Sequence, residues 1–174
     1  MKKKYNAIFV GRLSKEKGLE TVLETAEYCS KKISNFKLAI VGSGDMEEWL
    51  KEEVKKKKLS KVVLFLGYKS NPRKYIAQAH VLILPSYNEG MPMVVLESYA
   101  EKVPVVVTPY EGADEVVLHK RTGIIVKRKF FPNEVFNLLK SLKKRELMGQ
   151  YGNIFARKYF SPNNIKVFID TVLE

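Results

Sequence analysis

Short apolar runs separated by polar or amphipathic stretches recur along this chain of 174 residues. The runs fall at residues 5–10, 37–41, 62–66, 81–84, 105–107 and 124–126. Each is nearly wholly apolar, as expected of strands covered on both faces of a parallel sheet. Between them apolar residues recur at helical spacing. Leu19, Val22, Leu23 and Ala26 mark one amphipathic helix. Met46, Trp49, Leu50 and Val54 mark another, with Asp45 placed as its N-cap. A short helix is predicted over 72–79, with Tyr75 and Ile76 inward. Met93, Val94, Leu96 and Ala100 follow Pro92, which suits a first helical turn where its missing N–H has no partner. A further helical piece is expected over 113–118. From Pro132 onward the pattern is helical throughout. One helix carries Val135, Phe136, Leu138 and Leu139, a second covers 147–159, and a third starts at Ser161 as N-cap with Pro162 behind it. Strands alternating with helices predict an α/β fold: a Rossmann-like parallel sheet with helices on both faces, then C-terminal helices. No repeat, low-complexity stretch or linker divides residues 1–174, so a single domain is expected.

Composition narrows the class. Apolar residues are 45% and charged residues 29%, the profile of a globular protein. Net charge is +12, which favours anionic partners: nucleic acid, anionic lipid or phosphorylated ligands. The chain has no nucleic-acid-binding motif, and its aromatics fall in apolar patterns rather than among the lysines, so no nucleic-acid partner is expected. The clusters Lys2 to Lys4, Lys55 to Lys58, Lys127-Arg128-Lys129 and Lys143-Lys144-Arg145 read as solvated surface. The alternative is a face that contacts anionic membrane peripherally. No apolar run reaches the roughly 20 residues that span a bilayer. The basic N-terminus is followed by a strand and a charged loop, unlike a signal peptide. A cytoplasmic protein is expected, at most peripheral at a membrane surface. The single cysteine, Cys29, reads as a buried helical thiol.

Candidate chemistry centres on residues 85–97. Pro85 ends an apolar strand; Ser86, Tyr87, Asn88, Glu89 and Gly90 form a polar turn; Met91, Pro92, Met93 and Val94 enter a helix that carries Glu97. Glu89 then lies at the carboxyl edge of the sheet, where open α/β folds bind ligands. Gly11-Arg12-Leu13 and Lys17-Gly18 follow the first strand. Gly11 lets a ligand approach the backbone, Arg12 offers a planar fork of donors, and Lys17 offers a mobile charge. Gly42-Ser43-Gly44 follows the second strand, as a tight turn or a ligand-facing wall. It is neither a dinucleotide fingerprint nor a P-loop. Asp45, Asp114 and Asp170 are the only aspartates, so no D-x-D pair is present. His80 and His119 lack metal-ligating company, and no metal site is expected.

The string P-S-x-x-E-G-x-P-x-x-x-x-E-x-x-A resembles the donor-binding half of retaining glycosyltransferases of the GT-B architecture, family 4 (group 1). The segment from Gly11 to Gly18 resembles that family's G-R-L-x-x-x-K-G. The resemblance implies a nucleoside-diphosphate sugar of the UDP, GDP or ADP type as donor substrate, with no other cofactor. Arg12 and Lys17 would meet the diphosphate, Glu97 the ribose hydroxyls, and Glu89 the donor sugar and the positive charge at its C1. The backbone of Gly90, Met91, Pro92, Met93 and Val94 would face diphosphate or sugar, and Gly42 would wall the site. The turn at Leu66-Gly67-Tyr68 resembles the one that holds the base, where Tyr68 either stacks on the base or covers the sheet edge. Thr108 through Glu115 resembles the family's T-x-x-G-G-x-x-E, with Ala113 in place of a glycine. Lys102 also replaces a usual glycine, tolerable where the turn keeps φ negative. The resemblance covers one half of a GT-B enzyme. The acceptor-binding N-terminal domain is expected to be absent from this chain, and an acceptor glycan or lipid-linked sugar would be held by that domain or a partner subunit. Little or no turnover is expected of the chain alone. The alternatives are a non-catalytic nucleotide-sugar-binding or regulatory subunit, and a sugar-nucleotide epimerase of the same architecture.

Overall fold

A computed structural model describes residues 3–159. Six strands form one sheet: β1 (Tyr5–Val10), β2 (Leu38–Val41), β3 (Val63–Gly67), β4 (Ala79–Leu84), β5 (Val105–Val107) and β6 (Gly123–Ile125). Their order is β3-β2-β1-β4-β5-β6, and every pairing is parallel. The chain winds outward from β1 to β3, returns to β4 on the other side of β1, and winds outward again. That reversal opens a crevice above the carboxyl ends of β1 and β4. The helices are α1 (Leu19–Ser30), α2 (Glu47–Lys56), α3 (Arg73–Ile76), α4 (Met93–Ala100), α5 (Ala113–Val116), α6 (Phe131–Lys140) and α7 (Leu142–Tyr159). They cover both faces of the sheet; α1 packs on α6, and α4 packs on α3 and α7. The central strands are inaccessible on both sides, Ala7, Ile8 and Phe9 in β1 and Val81, Leu82 and Ile83 in β4 among them. This explains why they read as unbroken apolar runs. The Rossmann-like α/β architecture is the one expected.

Several local expectations give way to tertiary contacts. Asp45 is not the cap of α2; Met46 holds that position and no side chain caps it. The turn is tied to the first loop instead: Leu13 N–H donates to the Ser43 carbonyl (3.0 Å) and Met46 N–H to the Leu13 carbonyl (2.9 Å). The helix expected over 72–79 is only Arg73–Ile76, because Ala79 pairs with Tyr5 and starts β4 two residues early. Ile76 does point inward, with Tyr75 half-buried. The helix expected from 147 starts at Leu142. Ser141 accepts from Lys144 N–H, while the Arg145 guanidinium donates to the carbonyls of Leu138 and Leu139 at the end of α6. Arg145, read as solvated surface, thus joins two helices. Lys102 adopts φ +55°, in the left-handed region, and not the negative φ expected of it. Cys29 is buried, and burial pushes its thiol up to about 12. The helix placed at Ser161-Pro162 lies outside the described residues.

Candidate functional site

Two adjoining clefts open along the carboxyl edge of the sheet, sharing Val10, Gly11 and Arg12 as a common wall. The first, about 370 Å³, runs from that wall past Gly42 and Ser43 to Tyr68, Lys69 and Pro72. The second, about 520 Å³, contains Lys17, Glu89, Met91, Pro92, Met93 and Val94. Gly42 is a glycine for two reasons. Its φ is +144°, and a Cβ there would lie 1.9 Å from the Gly11 carbonyl oxygen. Gly11 has neither constraint: a Cβ would meet nothing closer than the Phe9 ring at 3.5 Å. Its missing side chain leaves the wall low where the two clefts meet.

Lys17 and Glu89 meet in the second cleft. The Lys17 ammonium donates to both carboxylate oxygens at 2.9 Å, and the two side chains are 17% and 9% exposed. Ser86 donates a third hydrogen bond to Glu89, at 2.6 Å. The pair joins residues 72 positions apart in sequence, and the backbone around it explains how. Tyr87 N–H donates to the Glu16 carbonyl at 2.7 Å. Gly18, with φ +63°, packs so tightly on Pro85 that a Cβ would lie 2.1 Å from its carbonyl oxygen. The loops after β1 and β4 are therefore one unit.

Other expected residues stand differently. Arg12 is exposed at the wall between the clefts. Tyr68 is 72% exposed and lines the first cleft. Glu97 is half-buried on the second turn of α4, outside the lining of both clefts, and its carboxylate has no hydrogen bond or ion pair among the described residues. Burial raises its carboxyl above the ordinary value, opposed by nearby Arg73. Gly90 also lies outside both linings, exposed in the turn. Nothing within 4 Å would meet a Cβ there, so packing does not demand a glycine.

Residues the sequence did not single out surround Glu89. Ser86 was only a letter in the motif, yet it is fully buried and bonded to the carboxylate. Its carbonyl accepts from Thr108 Oγ1 and from Arg128 Nη2. Tyr110 is buried, and burial together with the Glu89 charge raises its hydroxyl well above the ordinary tyrosine value. Among the described residues two buried side-chain atoms lack a hydrogen-bond partner, Tyr110 Oη and Arg128 Nε, and both belong to side chains around this loop. No group of three or more His, Cys, Asp or Glu is placed to hold a metal among the described residues. His119 Nδ1 accepts from Ile125 N–H. No helix among the described residues is long and apolar enough to cross a membrane.

Known proteins resemble this chain in sequence and in fold. A poly(glycerol-phosphate) α-glucosyltransferase of Bacillus subtilis is 28% identical over 94% of this chain and 25% of its own length. An uncharacterized glycosyltransferase of Methanocaldococcus jannaschii is 35% identical over 70% of this chain and 32% of its own length. The chain thus spans about a quarter to a third of these relatives. The C-terminal domain of LpcC, a group 1 glycosyl transferase from Francisella tularensis, superposes with a TM-score of 0.81 at 21% identity, covering 93% of this chain and 89% of that one. Anabaena HepE, solved with UDP and glucose, superposes with a TM-score of 0.88 at 20% identity, covering 97% of this chain and 48% of that one. These two likenesses show the GT-B type of fold. The profile of the glycosyl transferases group 1 family matches residues 1–155, and the chain belongs to that family.

Proposed function

We propose that this chain is the donor-binding part of a retaining hexosyltransferase that works without a metal, with its acceptor glycan or lipid-linked sugar held by a second domain or subunit. The observation that carries the reading is the adjacency of the two clefts, which share the wall of Val10, Gly11 and Arg12. An exposed aromatic ring stands at one end and a lysine–glutamate pair at the other. This matches the parts of a nucleoside-diphosphate sugar: base beside Tyr68, diphosphate at Arg12 and Lys17, hexose against Glu89 and the start of α4. Glu97 lies on α4 outside the lining of the two clefts, and its uncommitted carboxylate has the two acceptors that suit a vicinal ribose diol.

As the bond from C1 to the diphosphate breaks, negative charge grows on the leaving phosphate. Arg12, Lys17 and the N-terminal N–H groups of α4 would stabilise it, at about 3 kcal/mol per strong donor. Glu89 would face the positive charge at C1. The acceptor hydroxyl would attack from the face the phosphate leaves and give that phosphate its proton.

Calorimetric titration with UDP, GDP and ADP tests the binding step. One nucleotide should bind, more weakly to Arg12→Ala and Glu97→Ala. No binding of any of the three would sink the reading. With an acceptor-binding half present, Glu89→Ala should abolish transfer and spare nucleotide affinity; normal turnover would remove Glu89 from the mechanism. Nucleotide binding without transfer in any pairing would leave the non-catalytic binding subunit.

A further inference from the structure

Arg128 lies in the turn between β6 and α6, inside what the sequence presents as a solvated basic cluster. The structure puts it to another use. Its Nη2 donates to the Ser86 carbonyl at 2.9 Å and, more weakly, to the Pro85 carbonyl at 3.4 Å. Its guanidinium carbon lies over the Tyr87 ring, 3.5 Å from the centroid. Its Nε is buried without a partner, and it pairs with no acid among the described residues. One side chain therefore holds three consecutive residues, Pro85, Ser86 and Tyr87, at the base of the turn that carries Glu89.

Each of these residues has a second tie leading to Glu89 or Lys17. The Pro85 carbonyl is the surface on which Gly18 packs, next to Lys17. The Ser86 hydroxyl bonds the Glu89 carboxylate. Tyr87 N–H bonds the Glu16 carbonyl, on the other side of Lys17. Displacing this base shifts both partners of the Lys17–Glu89 pair. Arginine is suited to the task because its donors form a fixed fork and its face stacks on an aromatic ring, whereas lysine offers one mobile ammonium. A residue retained only for solubility would keep its charge in water rather than bury an unpaired Nε.

We infer that Arg128 is a positioning residue for donor-sugar binding: it sets the geometry of the Lys17–Glu89 pair by clamping the Pro85–Ser86–Tyr87 base of the loop. The link to the sugar rests on the donor-binding reading above; the link to the ion pair does not.

The experiment has two arms. In the first, no ligand is used. Urea midpoints are measured for Lys17→Met, Glu89→Gln and the double variant, in the wild-type and Arg128→Ala backgrounds. Arg128→Lys replaces Arg128→Ala if the latter does not fold. Non-additivity of the two substitutions reports the pair. It should be clear in wild type and fall to less than a third of that size without Arg128. A side chain that merely adds stability would lower every midpoint and leave the non-additivity intact, which would overturn the inference. In the second arm, UDP, GDP and ADP are compared with their glucose conjugates. Arg128→Ala should reduce the extra affinity gained from the glucose by about fivefold or more. It should change nucleoside-diphosphate affinity by less than about threefold, and Arg128→Lys should recover only part of the loss. An unchanged glucose increment would also overturn the inference. If no nucleotide binds but the non-additivity collapses, the donor-binding reading fails and the positioning of Glu89 by Arg128 stands.

Discussion

The seam between α4 and α7 and the crevice above β1 and β4 both bury polar side chains, but they finish the task differently. In the seam every partner is found. Tyr99 Oη donates to the Val116 carbonyl at 3.0 Å and meets Thr122 Oγ1 at 2.8 Å, and Thr122 Oγ1 accepts from Leu118 N–H at 3.0 Å. Asn153 Nδ2 donates to the carbonyls of Tyr99 and Ala100, and Ser98 Oγ to that of Val103. Around the crevice, but outside its lining, Tyr110 Oη and Arg128 Nε lack a hydrogen-bond partner among the described residues and the Glu97 carboxylate is uncommitted. Buried polar groups left without partners are costly, so a region that keeps them is organised around something other than its own stability. The seam satisfies its own polar groups; the surroundings of the crevice leave some of theirs uncommitted.

Gly149 in α7 separates the two regions by the largest expected effect. A Cβ there would lie 2.1 Å from the Lys102 carbonyl oxygen, which is backbone and cannot swing aside. Gly149→Ala should cost about 3 kcal/mol of stability in urea titration, the upper end of the overpacking range. Nucleotide affinity of the folded fraction should not change. A fall in that affinity would show that the two regions are not separable.

Lys102, whose carbonyl Gly149 packs against, should respond in the opposite direction. Its φ of +55° lies in the region that side chains avoid, just after α4 ends, where glycine is the common choice. Lys102→Gly should raise stability by about 1 kcal/mol, read as a higher melting temperature, with ligand binding untouched.

Glu97 provides the smallest stability effect and the clearest contrast. Burial raises its carboxyl in the folded chain, so the folded state holds that proton more tightly than the unfolded one. The sign follows: this group favours folding at acid pH, and the advantage fades as pH rises from the ordinary carboxyl value through the raised one. Glu97→Gln should remove that slope and leave stability at neutral pH equal or slightly higher, while weakening nucleotide binding. Stability that falls at neutral pH would mean that the carboxylate has an internal structural partner.

The sequence makes the sheet legible because its strands are covered on both faces. An unbroken run such as Val81-Leu82-Ile83-Leu84 has few other fates in a chain of this composition. Glu89, Arg12 and Lys17 are visible because the loops that carry them join strands to helices at fixed offsets. What the sequence hides is decided by residues far away along the chain. Asp45 has the chemistry of a cap, but the Leu13 backbone satisfies that turn. The start of β4 depends on Tyr5 across the sheet. Arg128 and Arg145 look like their solvated lysine neighbours. Only the fold shows that the first reaches carbonyls at residues 85 and 86, and the second those that end α6.

The lone cysteine has a practical consequence. Cys29 lies under α6 with its thiol pushed up to about 12, so at neutral pH almost none of it is the reactive thiolate. The wild-type chain should therefore react little with maleimides while folded. A single cysteine introduced at Tyr68 or Asn88, on either rim of the crevice, will take a fluorophore or spin label with little background. With cysteines at both positions, two labels would report the distance between the rims when a nucleotide is titrated in.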